Sequence, residues 1–109
     1  MAHLDPPHTV TRDDDDHRYE IRLGGVLAGF AEFEVDRRGR LRFVHTEIDP
    51  AFEGRGLGST LVREAMTDVA RRGETVVPVC PFVASFLTRN DVPGLDVAWP
   101  RTSDPAPAP

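Results

Sequence analysis

The eight residues Glu53-Gly54-Arg55-Gly56-Leu57-Gly58-Ser59-Thr60 constrain this chain more than any other stretch. They join an extended segment ending near Ile48 to an amphipathic pattern that runs from Leu57 to Arg72. Three glycines leave the backbone free to turn. Successive loop N–H groups and the orphan N–H groups of the first helical turn then converge on one small space. Such a space attracts phosphate or diphosphate. The partial positive charge of the helix end adds about 0.3–2 kcal/mol for an anion placed there, and Arg55 supplies a mobile counter-charge.

The flanking patterns predict one α/β domain over residues 9–100, between a loose arm over residues 1–8 and a disordered Pro/Ala-rich tail over residues 101–109. Thr9-Val10-Thr11 can begin a first strand. Arg18–Leu23 alternates, Gly24-Gly25 marks a hairpin, and Val26–Val35 and Arg40–Ile48 are further strands, so the chain opens as an antiparallel meander. Simple alternation puts Leu41, Phe43, His45 and Glu47 on one face of the last of these. In the helix, Leu57, Leu61, Val62, Ala65, Met66, Val69 and Ala70 share one side, and Gly73 is a natural stop. The apolar run Thr75–Cys80 reads as a buried strand, reached by a parallel crossover. Pro81 opens a second, short helix, and Leu95–Trp99 is a last short strand.

Bulk properties narrow the functions. The 109 residues suit a single domain, and a net charge of −5 argues against a dedicated nucleic-acid binder. The start of the chain lacks an apolar signal core and no run is long enough to span a membrane. With one cysteine, Cys80, no internal disulfide forms, so the expectation is a cytoplasmic protein. Asp13–Asp16 with His17 has metal-ligand chemistry, but a solvated turn accounts for it better, and no metal is expected.

The phosphate ligand is selected by elimination and then by resemblance. A Walker loop aligned on Gly58 would need glycine at Glu53 and lysine at Ser59. A dinucleotide fingerprint begun at Gly54 ends on Ser59, and begun at Gly56 it ends on Leu61; the preceding meander is also wrong for it. Glu53-x-x-Gly56-x-Gly58, after a strand and before a helix, resembles the acyl-CoA diphosphate loop of the GNAT N-acetyltransferase superfamily, whose pattern is Gln/Arg-x-x-Gly-x-Gly/Ala. Glu53 departs from its first position. The wider run His45-Thr46-Glu47-Ile48-Asp49-Pro50, Gly54–Gly58, Leu61-Val62 and Val77-Pro78-Val79-Cys80-Pro81-Phe82-Val83 resembles the small YjdJ-type N-acetyltransferase domain, from about Tyr19 to Asn90.

The resemblance implies a GNAT-like fold: a mostly antiparallel mixed sheet, a splayed parallel strand pair and two helices after the meander. It implies an acetyl-CoA site, with pantetheine against the backbone of Thr46 and Ile48 and the diphosphate on Glu53, Gly54, Arg55, Gly56, Leu57 and Gly58. Ser59 and Thr60 would add hydroxyl contacts or help start the helix, and the thioester would arrive near Cys80. The implied reaction is acetyl transfer to an amine of a small molecule or a protein lysine. A lysine-like amine is mostly protonated at pH 7, and freeing it costs about 4.6 kcal/mol. A base is therefore needed, and His45, supported by Glu47, is the candidate. Against this stands a strand histidine bonded merely to its neighbours. Cys80 could carry the acyl group, assist the leaving thiolate or only line the pocket. A backbone N–H at the splayed strand would stabilise the oxyanion. Many GNAT enzymes carry a tyrosine acid on the helix after this strand, whereas here that helix has Phe82 and Phe86. The alternative is accordingly an acyl-CoA-binding sensor module with little or no catalysis, and a plain interaction domain is a third reading. Monomer and homodimer are both compatible with the sequence.

Overall fold

A computed structural model describes residues 7–100. The expected tail over 101–109 lies outside these residues, as does the expected arm apart from Pro7 and His8. His8 already belongs to the first strand, so the sheet begins earlier than the sequence pattern indicates. The elements are β1 (His8–Asp13), β2 (Arg18–Leu23), β3 (Val26–Val35), β4 (Leu41–Ile48), a 3-10 turn (Pro50–Phe52), α1 (Leu57–Arg71), β5 (Thr75–Pro78), α2 (Pro81–Arg89) and β6 (Asp96–Val97). They form one six-stranded mixed sheet in the order β1-β2-β3-β4-β5-β6. The first four strands are antiparallel, while β5 and β6 run parallel to β4. This is the α/β architecture the sequence predicts.

One core unites the elements. Leu57, Leu61, Val62, Ala65, Met66 and Val69 of α1 are buried against Tyr19, Ile21, Phe33, Leu41, Phe43 and Val76 of the sheet and against Val83 and Phe86 of α2. Each large side chain buried in this way contributes about 1.5–3 kcal/mol before entropy. The helix ends where the glycine predicts: Gly73 takes φ 70°, its N–H reaches the Ala70 carbonyl, and the Glu74 N–H reaches that of Val69. The aspartate run makes the β1–β2 turn, where the Asp13 carboxylate accepts from the Asp15 and Asp16 N–H groups. Among the described residues no three His, Cys, Asp or Glu side chains are grouped to hold a metal, and no helix is long and apolar enough to cross a membrane.

Two register shifts shape the sheet. Ile21 opposes Gly29 but Arg22 opposes Leu27, so Ala28 is an extra residue in β3. Glu32 opposes His45 but Phe33 opposes Phe43, which makes Val44 a bulge in β4. A bulge resets the alternation of side chains along its strand. Leu41 and Phe43 therefore face the core, as do Thr46 and Ile48 beyond the bulge, while exposed His45 and Glu47 point to the other face. The single face expected for Leu41, Phe43, His45 and Glu47 is thus corrected.

Tyr19 ties the meander to α1. Its ring is buried, its hydroxyl donates to Asp68 at 2.7 Å, and Arg72 also holds that carboxylate at 2.7 Å. Burial works against ionisation of Asp68, but the hydrogen bonds from Tyr19 and Arg72 prevail and hold it below the usual carboxylate range. The resulting stability is present above the unfolded aspartate pKa of about 3.9 and is lost as pH falls through the lower folded value. Tyr19→Phe should cost about 1.5–3 kcal/mol in urea unfolding at pH 7. It should also flatten the loss of stability below about pH 4, since Asp68 then titrates closer to its unfolded value. An unchanged acid limb would contradict this assignment.

Candidate active site

β4 and β5 pair at just three positions, Leu41 with Val76, Arg42 with Val77 and Phe43 with Pro78. Proline has no N–H for the ladder. The next two N–H groups, of Val79 and Cys80, both turn back to the Phe43 carbonyl, at 3.1 and 2.7 Å. The strand run expected through Cys80 therefore stops at Pro78, and β4 continues alone to Ile48. Between the diverging strands the hydroxyl of Thr46 lies 3.5 Å from the sulfur of Cys80. Cys80 is 6% exposed and opens α2, with Pro81 in the first helical position. The two N–H groups at this end of β5 are occupied, so neither is the free oxyanion donor that the sequence reading places at the splay.

From this gap a cleft of about 360 Å³ runs to the start of α1, lined by Thr46, Ile48, Phe52, Glu53, Gly54, Gly56, Leu57, Gly58, Ser59 and Phe82. Its far wall is the glycine loop. Asp49 receives the Ala51 N–H on its carboxylate, and Pro50 accepts from Glu53, which together wind the 3-10 turn. Gly54 and Gly56 then take φ 83° and 74°, a region that side chains resist. Among the described residues no acceptor is found for the N–H groups of Gly54, Arg55, Gly56, Leu57, Gly58 or Ser59. The helix cap has no side-chain hydrogen bond and the first turn has no acid. A β-carbon placed on Gly54 or Gly56 would meet nothing within 4 Å, so the space beside these amides is open.

The remaining candidates divide. The Thr60 hydroxyl bonds back to the Gly56 carbonyl at 3.2 Å and serves the helix start. Arg55 stands over the Phe52 ring at 5.7 Å, next to the cleft. His45 and Glu47 do not line the cleft. They pair with each other at 3.1 Å on the opposite, outer face, where the His45 ring lies 6.0 Å from that of Phe30. The same face carries Glu20, 6% exposed and clamped by Arg18 at 2.8 Å and Arg22 at 2.6 Å. Burial opposes its ionisation, yet the bonds from Arg22 and Arg18 leave Glu20 below the ordinary glutamate pKa. Tyr19, the one tyrosine, is bonded to Asp68 and is not part of the cleft lining.

Two contributors escaped the sequence reading. Phe82 is 41% exposed and forms a cleft wall; a β-carbon on Gly58 would lie 2.9 Å from its ring. Gly29 holds β4 in place from below, since its β-carbon would come within 2.5 Å of the Glu47 carbonyl oxygen and of Ile48 Cδ1. Glycine within a strand marks such close approaches, but which neighbour approaches depends on register.

A strand that parts from its parallel neighbour beside an open glycine turn is the arrangement that the resemblance to GNAT acyltransferases implies. The chain matches the GCN5-related N-acetyl-transferase family model over residues 18–94, most of its length, and belongs to that family. It is 38% identical over 82 residues to N-alpha-acetyltransferase RimI of Mycobacterium tuberculosis, covering 68% of this chain and 50% of that protein. It is 26% identical over 101 residues to Protein NATD1 of Xenopus tropicalis, covering 85% of this chain and 93% of that one. The chain thus spans half of the RimI relative and nearly all of the NATD1 relative. The crystal structure of a ribosomal-protein-alanine N-acetyltransferase from Brucella melitensis biovar Abortus 2308 aligns with a TM-score of 0.46 at 16% identity, over 79% of this chain and 52% of that one.

Gly29→Ala should destabilise the fold by about 1–3 kcal/mol, because the clash falls on backbone of β4. Denaturant unfolding measures it; a neutral substitution would mean that β4 is free to shift.

Proposed function

We propose that the chain is an acetyl-CoA-dependent N-acetyltransferase acting on a primary amine. The observation that carries this reading is the set of unpaired amides from Gly54 to Ser59, facing a cleft that leads to the gap between β4 and β5. These residues fit the coenzyme. The amides hold its diphosphate, Thr46 and Ile48 border its pantetheine arm, and the thioester end reaches Thr46 and Cys80. Bound there, acetyl-CoA supplies an activated carbonyl carbon.

The rest is the work of this chain's residues. The acceptor approaches from the outer face, where His45 takes a proton from the ammonium and Glu47, 3.1 Å away, stabilises the imidazolium. The nitrogen–carbon bond forms as the carbon–sulfur bond breaks, and the second proton, lost by the acylated nitrogen, passes to the thiolate, so one amide and one thiol leave. The hydroxyl–thiol pair of Thr46 and Cys80 lies where that proton is needed. The RimI relative is named an N-alpha-acetyltransferase, which favours an α-amine acceptor, and small amines fit the open outer face equally.

A second reading, an acyl-CoA-binding module without turnover, draws on α2, which carries Phe82 and Phe86 and no tyrosine. CoA release with an amine panel separates the two. Binding without release in any case would support the module.

Gly56→Asp should weaken acetyl-CoA binding about tenfold or more beyond Gly56→Ala, by calorimetry. Both substitutions strain the φ of 74°, and just one adds like charge. Equal losses would remove the anion from this loop. Glu53→Gln should tighten binding by about 0.2–1 kcal/mol, the scale of an exposed charge pair. His45→Ala should lower kcat about 10²–10⁴-fold with coenzyme affinity retained. Cys80→Ser should also retain affinity; turnover persisting while labelled acyl-protein disappears would exclude a covalent role.

A further inference from the structure

The outer face holds one group that the acetyl-transfer reading leaves unused. Arg42 alternates with the core residues Leu41 and Phe43, so its side chain lies on the face away from the helices. It is 8% exposed, and its Nε is buried with no hydrogen-bond partner. No carboxylate of the described residues lies within 4.0 Å of its guanidinium, although Glu34 stands opposite it on β3. Among the described residues the terminal nitrogens have no hydrogen-bond partner, and they are not among the sealed, unpartnered atoms. A buried guanidinium without a counter-charge is unfavourable unless an anion completes it.

Its position gives that anion a context. Arg42 belongs to the second of the three β4–β5 pairs, one pair before the strands part. His45 and Glu47 follow on the same face, with Glu32 opposite His45 and Phe30 opposite Glu47. Opposite them on β3, Glu34 and Glu32 are two residues apart because of the Val44 bulge, so at about 3.3 Å per residue Arg42 and His45 are roughly 7 Å apart along the sheet. A positive group and an acidic, histidine-bearing patch thus lie side by side at the mouth of the gap.

We propose that Arg42 is a specificity-determining residue that binds the carboxylate of the acceptor, and that the acceptor is an ω-amino carboxylate. Its carboxylate pairs with the terminal nitrogens of Arg42, while its amine reaches His45 and Glu47. The spacing suits a chain of several carbons between the two charges better than an α-amino acid, whose charges are separated by one. This rests on the acetyl-transfer reading for the fate of the amine, but not for the binding of the carboxylate.

The test compares 6-aminohexanoate with hexylamine, and 4-aminobutyrate with butylamine, by CoA release. In the wild type each amino acid should exceed its amine in kcat/KM by about tenfold or more, as a charged hydrogen-bonded pair gives. In Arg42→Met and Arg42→Lys that ratio should fall toward one, more completely for methionine, with acetyl-CoA still raising the melting temperature. A ratio near one in the wild type, or one that survives Arg42→Met, overturns the proposal. A second readout does not need turnover. The side-chain Nε–Hε resonance of Arg42, assigned by its absence from Arg42→Lys, should move on titration with 6-aminohexanoate and stay still with hexylamine. Should no amine be acetylated, the enzymatic reading fails, while this titration still decides the role of Arg42; an unmoved resonance overturns it.

Discussion

The carbonyl of Phe43 governs this structure. By accepting from both Val79 and Cys80 it ends the β4–β5 ladder at Pro78 and turns the chain into α2. Proline cannot donate at that point, so the ladder has no means of continuing. Gly29 completes the arrangement from the other side, because only a residue without a β-carbon lets β3 come so near to Glu47 and Ile48. One strand is thereby held firmly on its β3 side and left unpaired on the other. An extended ligand can use such an edge as an added strand does.

Much of this was legible in the chain. The meander, the amphipathic helix with its glycine stop and the parallel crossover follow from periods of two and 3.6 and from turn residues. The glycine loop was legible too, since Gly54 and Gly56 occupy backbone conformations that few other residues tolerate. The faces of β4 were not. Alternation predicts them only for an unbroken strand, and the bulge at Val44 arises from pairing with Glu32 and Phe33 on β3. Arg42 was likewise opaque, because nothing local states that a charged residue in an alternating strand will be enclosed. The exposure of Phe82 depends on how α2 leaves Cys80, which is again a tertiary matter.

The bulge has a chemical consequence. Without it, His45 would share the core face with Phe43, among helices that leave little room for an acceptor. With it, Thr46 and Ile48 border the cleft while His45 and Glu47 meet solvent, with side chains 51% and 57% exposed. Under the proposed activity, donor and acceptor approach from opposite faces of the sheet and meet through the gap. A compact chain then needs no second domain to keep the two apart, because the sheet itself separates them. The same economy explains why the outer face is polar yet ordered, with Glu20 fixed between two arginines rather than covered by a helix.

The departure at Glu53 bears on how such a loop holds an anion. A carboxylate at the cleft lining works against a diphosphate, and Arg55 lies over Phe52 rather than in the lining. Under the proposed activity, attraction must then come chiefly from the backbone amides of Gly54 to Ser59. These are neutral, fixed by the φ angles of two glycines, and aligned with the end of α1. Fixed dipoles need no reorganisation when the ligand arrives, whereas a mobile guanidinium loses side-chain entropy. A loop built in this way tolerates a like charge at its border, provided that its geometry is kept. Under the proposed coenzyme binding, the glycines therefore matter more to holding the anion than the charge of any side chain around them.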